Sequence, residues 1–321
     1  GESVVKKAVL NSDDLIIDIG SNVGVLLGAY KKRGCKVLGI EPSKHIAASA
    51  NQNGIETIND FISYNLAKKI VSKKGKASVI NITNVFAHIN DLESLMKAVD
   101  CLLTDNGMFV IEAPHFLNLI EGLVYDTIYH EHLLYISVKP LNSLFNRFGF
   151  EVFDVDEVSI HGGSIRIFVC RKDQHIIKKS VNQIIKKEEK ANLFNISRLN
   201  LFSEQVKEHK KQLRELLLEI KKQGKSIAAV SAPAKGMTLL NYCEIDSNIL
   251  DFITEKSSLK IGKYSPGAHI PIFSDNKLFE KKPDYALLLA WNFADEIIEN
   301  LSEFKNSGGK FIIPIPKPKI I

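Results

Sequence analysis

Short apolar β-rich runs alternate with helical patterns along the first half of the chain, and this alternation limits the possible folds more than any other feature. Leu15–Ile19, Lys36–Ile40, Ser78–Ile82 and Gly107–Ile111 read as strands. Between them, Val25–Lys32, Ser43–Asn53, Tyr64–Lys73 and Leu92–Leu103 have helical spacing or helix-compatible composition. Parallel strands need a crossover, usually a helix, and both faces of the resulting sheet are then covered, so the order predicts a parallel sheet with crossover helices. Pro140–Phe148 reads as a further helix, and Glu151–Val155 and Ser164–Cys170 as antiparallel edge strands. This domain is expected to span about residues 1–172.

From about Gln174 to Gln223 the chain is rich in Lys, Glu and Leu and lacks Pro and Gly. Phe202, Val206, His209, Leu213, Leu216 and Ile220 recur at spacings of three and four. The pattern predicts a long amphipathic helix or helix pair over 173–223, a packed connector in preference to a dimerising coiled coil. A second α/β unit follows over 224–321, with strands at Ser226–Val230, Ile249–Thr254, Tyr285–Ala290 and Lys310–Ile313 and helices at about Ala234–Tyr242 and Phe293–Asn306. Pro314-Ile315-Pro316-Lys317-Pro318 cannot continue a sheet interior. The expected class is α/β: a Rossmann-like domain, a helical connector and a second, smaller α/β domain.

With 321 residues and 45% hydrophobic content, the chain can bury the cores of two domains. The net charge of +5 is local: residues 171–225 hold 15 Lys/Arg against 7 Asp/Glu, so the remainder is slightly acidic. Charge spread along the wet side of a helix reads as solvated surface, and no nucleic-acid partner is expected. Cys35, Cys101, Cys170 and Cys243 are scattered at neither metal-ligand nor redox spacing, consistent with a reducing cytoplasm. No apolar run of membrane-spanning length and no signal-peptide pattern occurs, so a cytoplasmic protein with no membrane contact is expected. Gly1-Glu2-Ser3 is read as a cloning remnant, with the natural chain beginning earlier.

The first strand runs into Asp18-Ile19-Gly20-Ser21-Asn22-Val23-Gly24, an acidic residue and two glycines directly before a helix. Glycines allow a sharp turn and a close backbone approach to a ligand. A dinucleotide fingerprint wants glycine where Asn22 stands, which favours S-adenosylmethionine over a nicotinamide cofactor. Glu41 follows the second strand about 20 residues on, where a carboxylate can accept from both ribose hydroxyls. Asn84 lies at the same carboxyl edge. Asp18, Gly20, Asn22, Gly24, Glu41 and Asn84 form the expected cofactor site.

Tyr129-His130-Glu131-His132 gathers four residues able to move protons or make strong hydrogen bonds. The histidines are two apart, not the four of a helical zinc motif, so no metal is expected and general acid–base chemistry is favoured. Downstream, His161-Gly162-Gly163-Ser164-Ile165-Arg166 opens a strand with a turn able to bind an anion or sugar hydroxyl, or simply to close a hairpin. Ser231-Ala232-Pro233-Ala234-Lys235-Gly236 links a strand to a helix in the second α/β unit.

These motifs, together with Asn84–Ile89, Glu112-Ala113-Pro114 and Pro266–Ile272, make the chain resemble the sugar C-methyltransferases that branch nucleotide-linked 4-keto-deoxysugars. The resemblance covers nearly the whole chain and rests most on Asp126–His132 and His161–Arg166. It implies S-adenosylmethionine as methyl donor, S-adenosylhomocysteine as product, and a nucleotide-linked keto-sugar held by the methyltransferase and C-terminal domains. It places Tyr129, Glu131 and His132 at the reacting centre, with His132 removing the proton beside the ketone and Tyr129 stabilising the enolate. His161, Ser164, Arg166, Ser231, Lys235 and His269 are then substrate residues, Lys235 facing the pyrophosphate. Two departures stand out: the family's usual N-terminal zinc-binding module has no counterpart here, and Val23 stands where the family commonly has Asp. The alternatives are a sugar O-methyltransferase, a non-catalytic S-adenosylmethionine or nucleotide-binding protein and, least favoured, an NAD-dependent oxidoreductase. A monomer or weak homodimer is expected.

Overall fold

The structure, a computed structural model, describes Lys7, residues 10–158 and residues 162–321. Its contacts fall into two units, each α/β. Among the described residues, the first takes in Lys7, 10–117, 131–158 and 163–192, and the second 118–130, 162 and 193–321. This partition differs from contiguous divisions at 172 and 223, because residues 118–130 group with the C-terminal residues and the basic stretch is shared out. Helix pairs of that stretch end up in different units: α7 (Lys179–Lys190) in the first and α8 (Ile196–Lys222) in the second.

In the first unit, β1 (Leu15–Ile19), β2 (Lys36–Ile40), β3 (Thr57–Ile58), β4 (Ala77–Thr83), β5 (Leu103–Pro114), β6 (Phe150–Val158) and β7 (Ser164–Arg171) form one sheet of order β3-β2-β1-β4-β5-β7-β6. The first five pair parallel, and β7 pairs antiparallel with both β5 and β6, the antiparallel edge pairing that the sequence predicts. Helices α1 (Val25–Lys31), α2 (Lys44–Gln52), α3 (Tyr64–Lys74) and α4 (Leu92–Leu102) supply the crossovers; α5 (Phe116–Glu121) and α6 (Val138–Asn146) follow. This is the Rossmann-like methyltransferase fold. One face is built on Ile17, Ile80, Phe109 and Ile167, packed by Leu95 and Val99 of α4; the other carries Ile16, Val79, Val110 and Phe168 with Leu27 and Tyr30 of α1. The strand order turns back between β1 and β4, which opens a crevice at their carboxyl ends where open α/β sheets bind ligands.

The second unit repeats the plan on a smaller scale. Strands β8 (Ile227–Val230), β9 (Ile253–Thr254), β10 (Ile272–Phe273), β11 (Tyr285–Leu288), β12 (Lys310–Ile313) and β13 (Lys319–Ile320) lie in the order β10-β9-β8-β11-β12-β13. All are parallel except β13, which follows Pro318 and pairs antiparallel at the edge, where proline does least harm. Here α9 (Ala234–Tyr242), α10 (Asn276–Lys281), α11 (Ala294–Asn300) and α12 (Ser302–Asn306) alternate with the strands. Along α8 the buried stripe is Phe202, Val206, His209, Leu213, Leu217 and Ile220; Leu216, expected in that stripe, is half-buried instead. His209 has a polar role inside it. Its Nε2–H donates to the Pro314 carbonyl at 2.7 Å, so Nδ1 is the acceptor for the Tyr125 hydroxyl at 3.0 Å.

Candidate active site

The first sheet builds its crevice from three turns. After β1, Gly20 and Gly24 adopt φ of 72° and 82°, values that favour glycine. A Cβ on Gly20 would also lie 2.5 Å from Val85 and one on Gly24 2.8 Å from Ile55, so protein packing, beyond ligand approach, demands both glycines. Asn22 and Asn84 also sit at positive φ, 51° and 55°, a conformation asparagine tolerates better than most residues. Glu41 ties the turns together: one oxygen accepts from Asn22 N–H at 3.0 Å and the other from Ser43 N–H at 2.9 Å.

Two cavities flank this frame, and Gly20, Asn22, Asn84 and Val85 belong to the walls of both. The larger, about 630 Å³, is lined by Glu41, Pro42, Asp60, Phe61, Ile62 and His88 among others. Phe61 is 74% exposed at that wall, an aromatic ring left open beside apolar side chains. The smaller, about 560 Å³, is lined by Asp18, Asn81, Glu112, Tyr30 and Arg166. Burial, reinforced by the Glu41 carboxylate, pushes the Asp18 carboxyl up to about 7.

S-adenosylmethionine fits this frame. Asp18 Oδ1, Asn81 Nδ2 and Asn84 Oδ1 are buried without hydrogen-bond partners, and a carboxylate faces a cavity of nucleoside size from the end of β2. Val23, the departure from the family pattern, is 37% exposed and its N–H donates to Asn22 Oδ1, so it closes the turn with its backbone.

The segment Tyr129–His132 is a turn that crosses from the second unit's contacts to the first's. Tyr129 is half-buried, and His130 and Glu131 are exposed. His132, half-buried in the first unit, packs edge-on against His88 with ring centroids 5.0 Å apart. The strap after it is pinned: Leu133 and Leu134 N–H both donate to the Ala87 carbonyl at 2.9 and 3.2 Å. At its far end Ile136 bridges to His115, whose Nε2 lies 2.9 Å from Glu188 Oε1, and Glu188 also accepts from Val138 and Lys139 N–H. His88 was missed as a single site residue by sequence reasoning, although it lies inside the Asn84–Ile89 motif. Nothing in local sequence says that its ring meets His132.

The substrate residues expected from sequence are divided between the two units. His161 lies outside the described residues. Ser164 is fully buried at the start of β7, paired with Pro114 and Val158. Arg166, grouped with them by motif, faces the smaller cavity of the first unit and is paired with Glu112. In the second unit, Ser231 takes φ of 70° after β8, and Lys235 lies over the Trp291 ring, 4.4 Å from its centroid, bonded to Asn292. Trp291 Nε1–H donates to Asp126 Oδ2 at 2.7 Å, and Asp126 is fully buried with Oδ1 unpartnered. Burial raises the Asp126 carboxyl against the pull of Lys235 and the Trp291 hydrogen bond; burial lowers the Lys235 ammonium against the pull of Asp126. His269 is exposed at φ 51°, and its loop is joined to α9 by Asn241 Nδ2–H donating to the Pro266 carbonyl. The Ser231–Asn241 and Pro266–Ile272 motifs thus meet.

Two family models match the chain, one described as a methyltransferase domain over residues 3–155 and one as a C-methyltransferase C-terminal domain over residues 159–316. The chain is 35% identical over 318 residues to the C-methyltransferase NovU of Streptomyces niveus, covering 99% of this chain and 76% of NovU. Among solved structures it is similar to a SAM-dependent methyltransferase from Anabaena variabilis, at 16% identity over 53% of this chain and 83% of that one, with a TM-score of 0.41. It is likewise similar to magnesium protoporphyrin IX methyltransferase from Synechocystis PCC 6803, at 18% identity over 53% and 81%, also with a TM-score of 0.41.

Proposed function

Because this chain belongs to the C-methyltransferase family and is an S-adenosylmethionine-dependent enzyme, we propose that it adds a methyl branch beside the ketone of a nucleotide-linked 4-keto-sugar, through an enolate. The observation that carries this reading is the contact of His132 with His88, a wall residue of the Glu41 cavity. An imidazole in contact with that wall supports the reading, because proton abstraction followed by carbon alkylation needs a base near the methyl donor.

Glu41 accepts from the donor's ribose hydroxyls, with Asp18, Gly20, Asn22, Gly24 and Asn84 framing the site. When bound, S-adenosylmethionine supplies an electrophilic methyl group. His132 takes the proton from the carbon next to the ketone, and His88 holds the His132 ring edge-on. Tyr129 donates a hydrogen bond to the enolate oxygen, and Glu131 orients the pair. On the second unit Ser231, Lys235 and His269 bind the nucleotide and pyrophosphate end, Lys235 as charge partner. His161 and Ser164 contribute to the sugar side.

The test is mass spectrometry of assays with S-adenosylmethionine and a panel of nucleotide-linked 4-keto-sugars, run in heavy water. The expected product gains one methyl, and deuterium washes into the α-carbon with the native protein but not with His132→Asn. Methylation of sugars lacking a ketone would replace this reading with O-methyl transfer. Donor binding without turnover on any keto-sugar would favour a binding protein.

A further inference from the structure

The buried stripe of α7 contains a residue that apolar packing does not ask for. Its buried positions are Val181, Ile184 and Glu188, and Glu188 is fully buried within the first unit. A carboxylate in such a place is costly unless hydrogen bonds satisfy it, and Glu188 accepts three. Its Oε1 takes Val138 N–H at 2.6 Å and His115 Nε2–H at 2.9 Å, and its Oε2 takes Lys139 N–H at 3.1 Å. Val138 and Lys139 open α6, whose N-cap residue Ser137 makes no side-chain cap bond. The first N–H groups of a helix need acceptors and form the positive end of its dipole, so Glu188 caps α6 from 50 residues away. Among the described residues His115 Nδ1 is buried without a hydrogen-bond partner, which leaves Glu188 to hold the ring.

The same node reaches the strap that follows His132. His115 bridges to Ile136 in parallel, Phe116 N–H donates to the Ile136 carbonyl at 2.8 Å, and the Phe116 ring lies 5.9 Å from that of Tyr135. At the other end Leu133 and Leu134 hang on the carbonyl of Ala87, the neighbour of His88, whose ring meets His132. Apart from the bridge at Ile136, residues 132–137 form no helix or strand, so these end contacts set their path.

We infer that Glu188, acting through His115 and the start of α6, is a positioning residue for methyl transfer. It clamps the far end of the strap and thereby fixes where the His132 ring stands against His88. Neither Glu188 nor His115 lines either cavity of the site. This role rests on the reading of His132 as the base, whereas the clamp itself can be measured without any substrate.

Hydrogen exchange followed by mass spectrometry tests the clamp. Glu188→Gln keeps the shape of the side chain, but its amide must turn an N–H toward another donor. The Leu133 and Leu134 amides are expected to exchange about 10- to 100-fold faster, the range for a hydrogen bond to a charged group, while peptides from β1 and β2 stay within about 2-fold. With a nucleotide-linked 4-keto-sugar that the native protein methylates, kcat should fall about 10- to 100-fold, while KM and S-adenosylhomocysteine affinity stay within about 2-fold. His115→Leu, which leaves Glu188 its two backbone donors, is the milder variant and should act in the same direction. His115→Gln restores a side-chain N–H and should recover most of kcat. Unchanged exchange at Leu133 and Leu134, faster exchange throughout the unit, or an unaltered kcat despite a loosened strap would each overturn the positioning role. A native protein that methylates no keto-sugar would instead sink the reading of His132 as the base, and the positioning role with it, whatever the exchange rates.

Discussion

The two sheets answer the same topological problem with the same device and reach opposite results. In each, the central strand, β1 or β8, is flanked so that the order turns back beside it. In each, a glutamate just past the next strand accepts from the turn after the central one and from its own following loop. Glu41 takes Asn22 and Ser43 N–H; Glu255 takes Ala232, Lys256 and Ser257 N–H. The difference lies in what fills the crevice. In the first sheet glycines and asparagines at positive φ leave cavities with unpartnered polar atoms. In the second, Lys235, Asn292, Trp291 and Asp126 are bonded or stacked on one another, and Lys260 approaches Glu255 within 3.5 Å. A shared fold therefore does not imply a shared site; the side chains at the switch point decide.

That contrast can be broken at several points. The largest expected effect is His132→Asn, which should lower kcat by about 10²- to 10⁴-fold, the worth of a general base, while S-adenosylhomocysteine affinity by calorimetry stays within about 2-fold. Next, Glu41→Ala should weaken S-adenosylhomocysteine about 100-fold, as expected for lost charged hydrogen bonds to two hydroxyls. Glu255→Ala should instead leave that affinity alone and cost about 1–3 kcal/mol in denaturant unfolding through its orphaned N–H groups. Equal losses of affinity in the two variants would erase the distinction drawn between the sheets. Lys235→Met should raise KM for the nucleotide-linked substrate about 10-fold, with donor affinity untouched, which steady-state kinetics would check.

The last expected effect, read in stability and not in activity, is a pH dependence at Asp18. Burial pushes its folded value up to about 7, well above the ordinary carboxylate range, so the folded state holds a proton that the unfolded chain releases. Stability is therefore present below about pH 4 and declines as pH rises toward 7. Asp18→Asn should remove that decline, so its melting temperature should exceed the native one more at pH 8 than at pH 4. A constant difference across that range would show that Asp18 is not held protonated by burial.

Much of this was readable from the chain. Strand runs buried on both faces, helical spacing between them and a glycine turn before Val25 are local signals, and β1, β2 and α9 begin and end where the residues say. The two-residue strands β3, β10 and β13 were not readable, because they are too short to show a period and exist only through pairing with a neighbour. The same limit applied to His209, which spacing marked as an apolar-stripe residue but whose ring links Tyr125 to Pro314.

By itself, the sequence determined the fold class and the glycine turn with Glu41, because each depends on residues within one element or one β–turn–α step. Only the tertiary structure decided that His88 meets His132, that Arg166 joins Asp18 at the first sheet and that Lys235 is held by Trp291 and Asn292. Those outcomes depend on strand register and on side chains far apart in sequence, and pairing across a sheet leaves no mark on either strand taken alone.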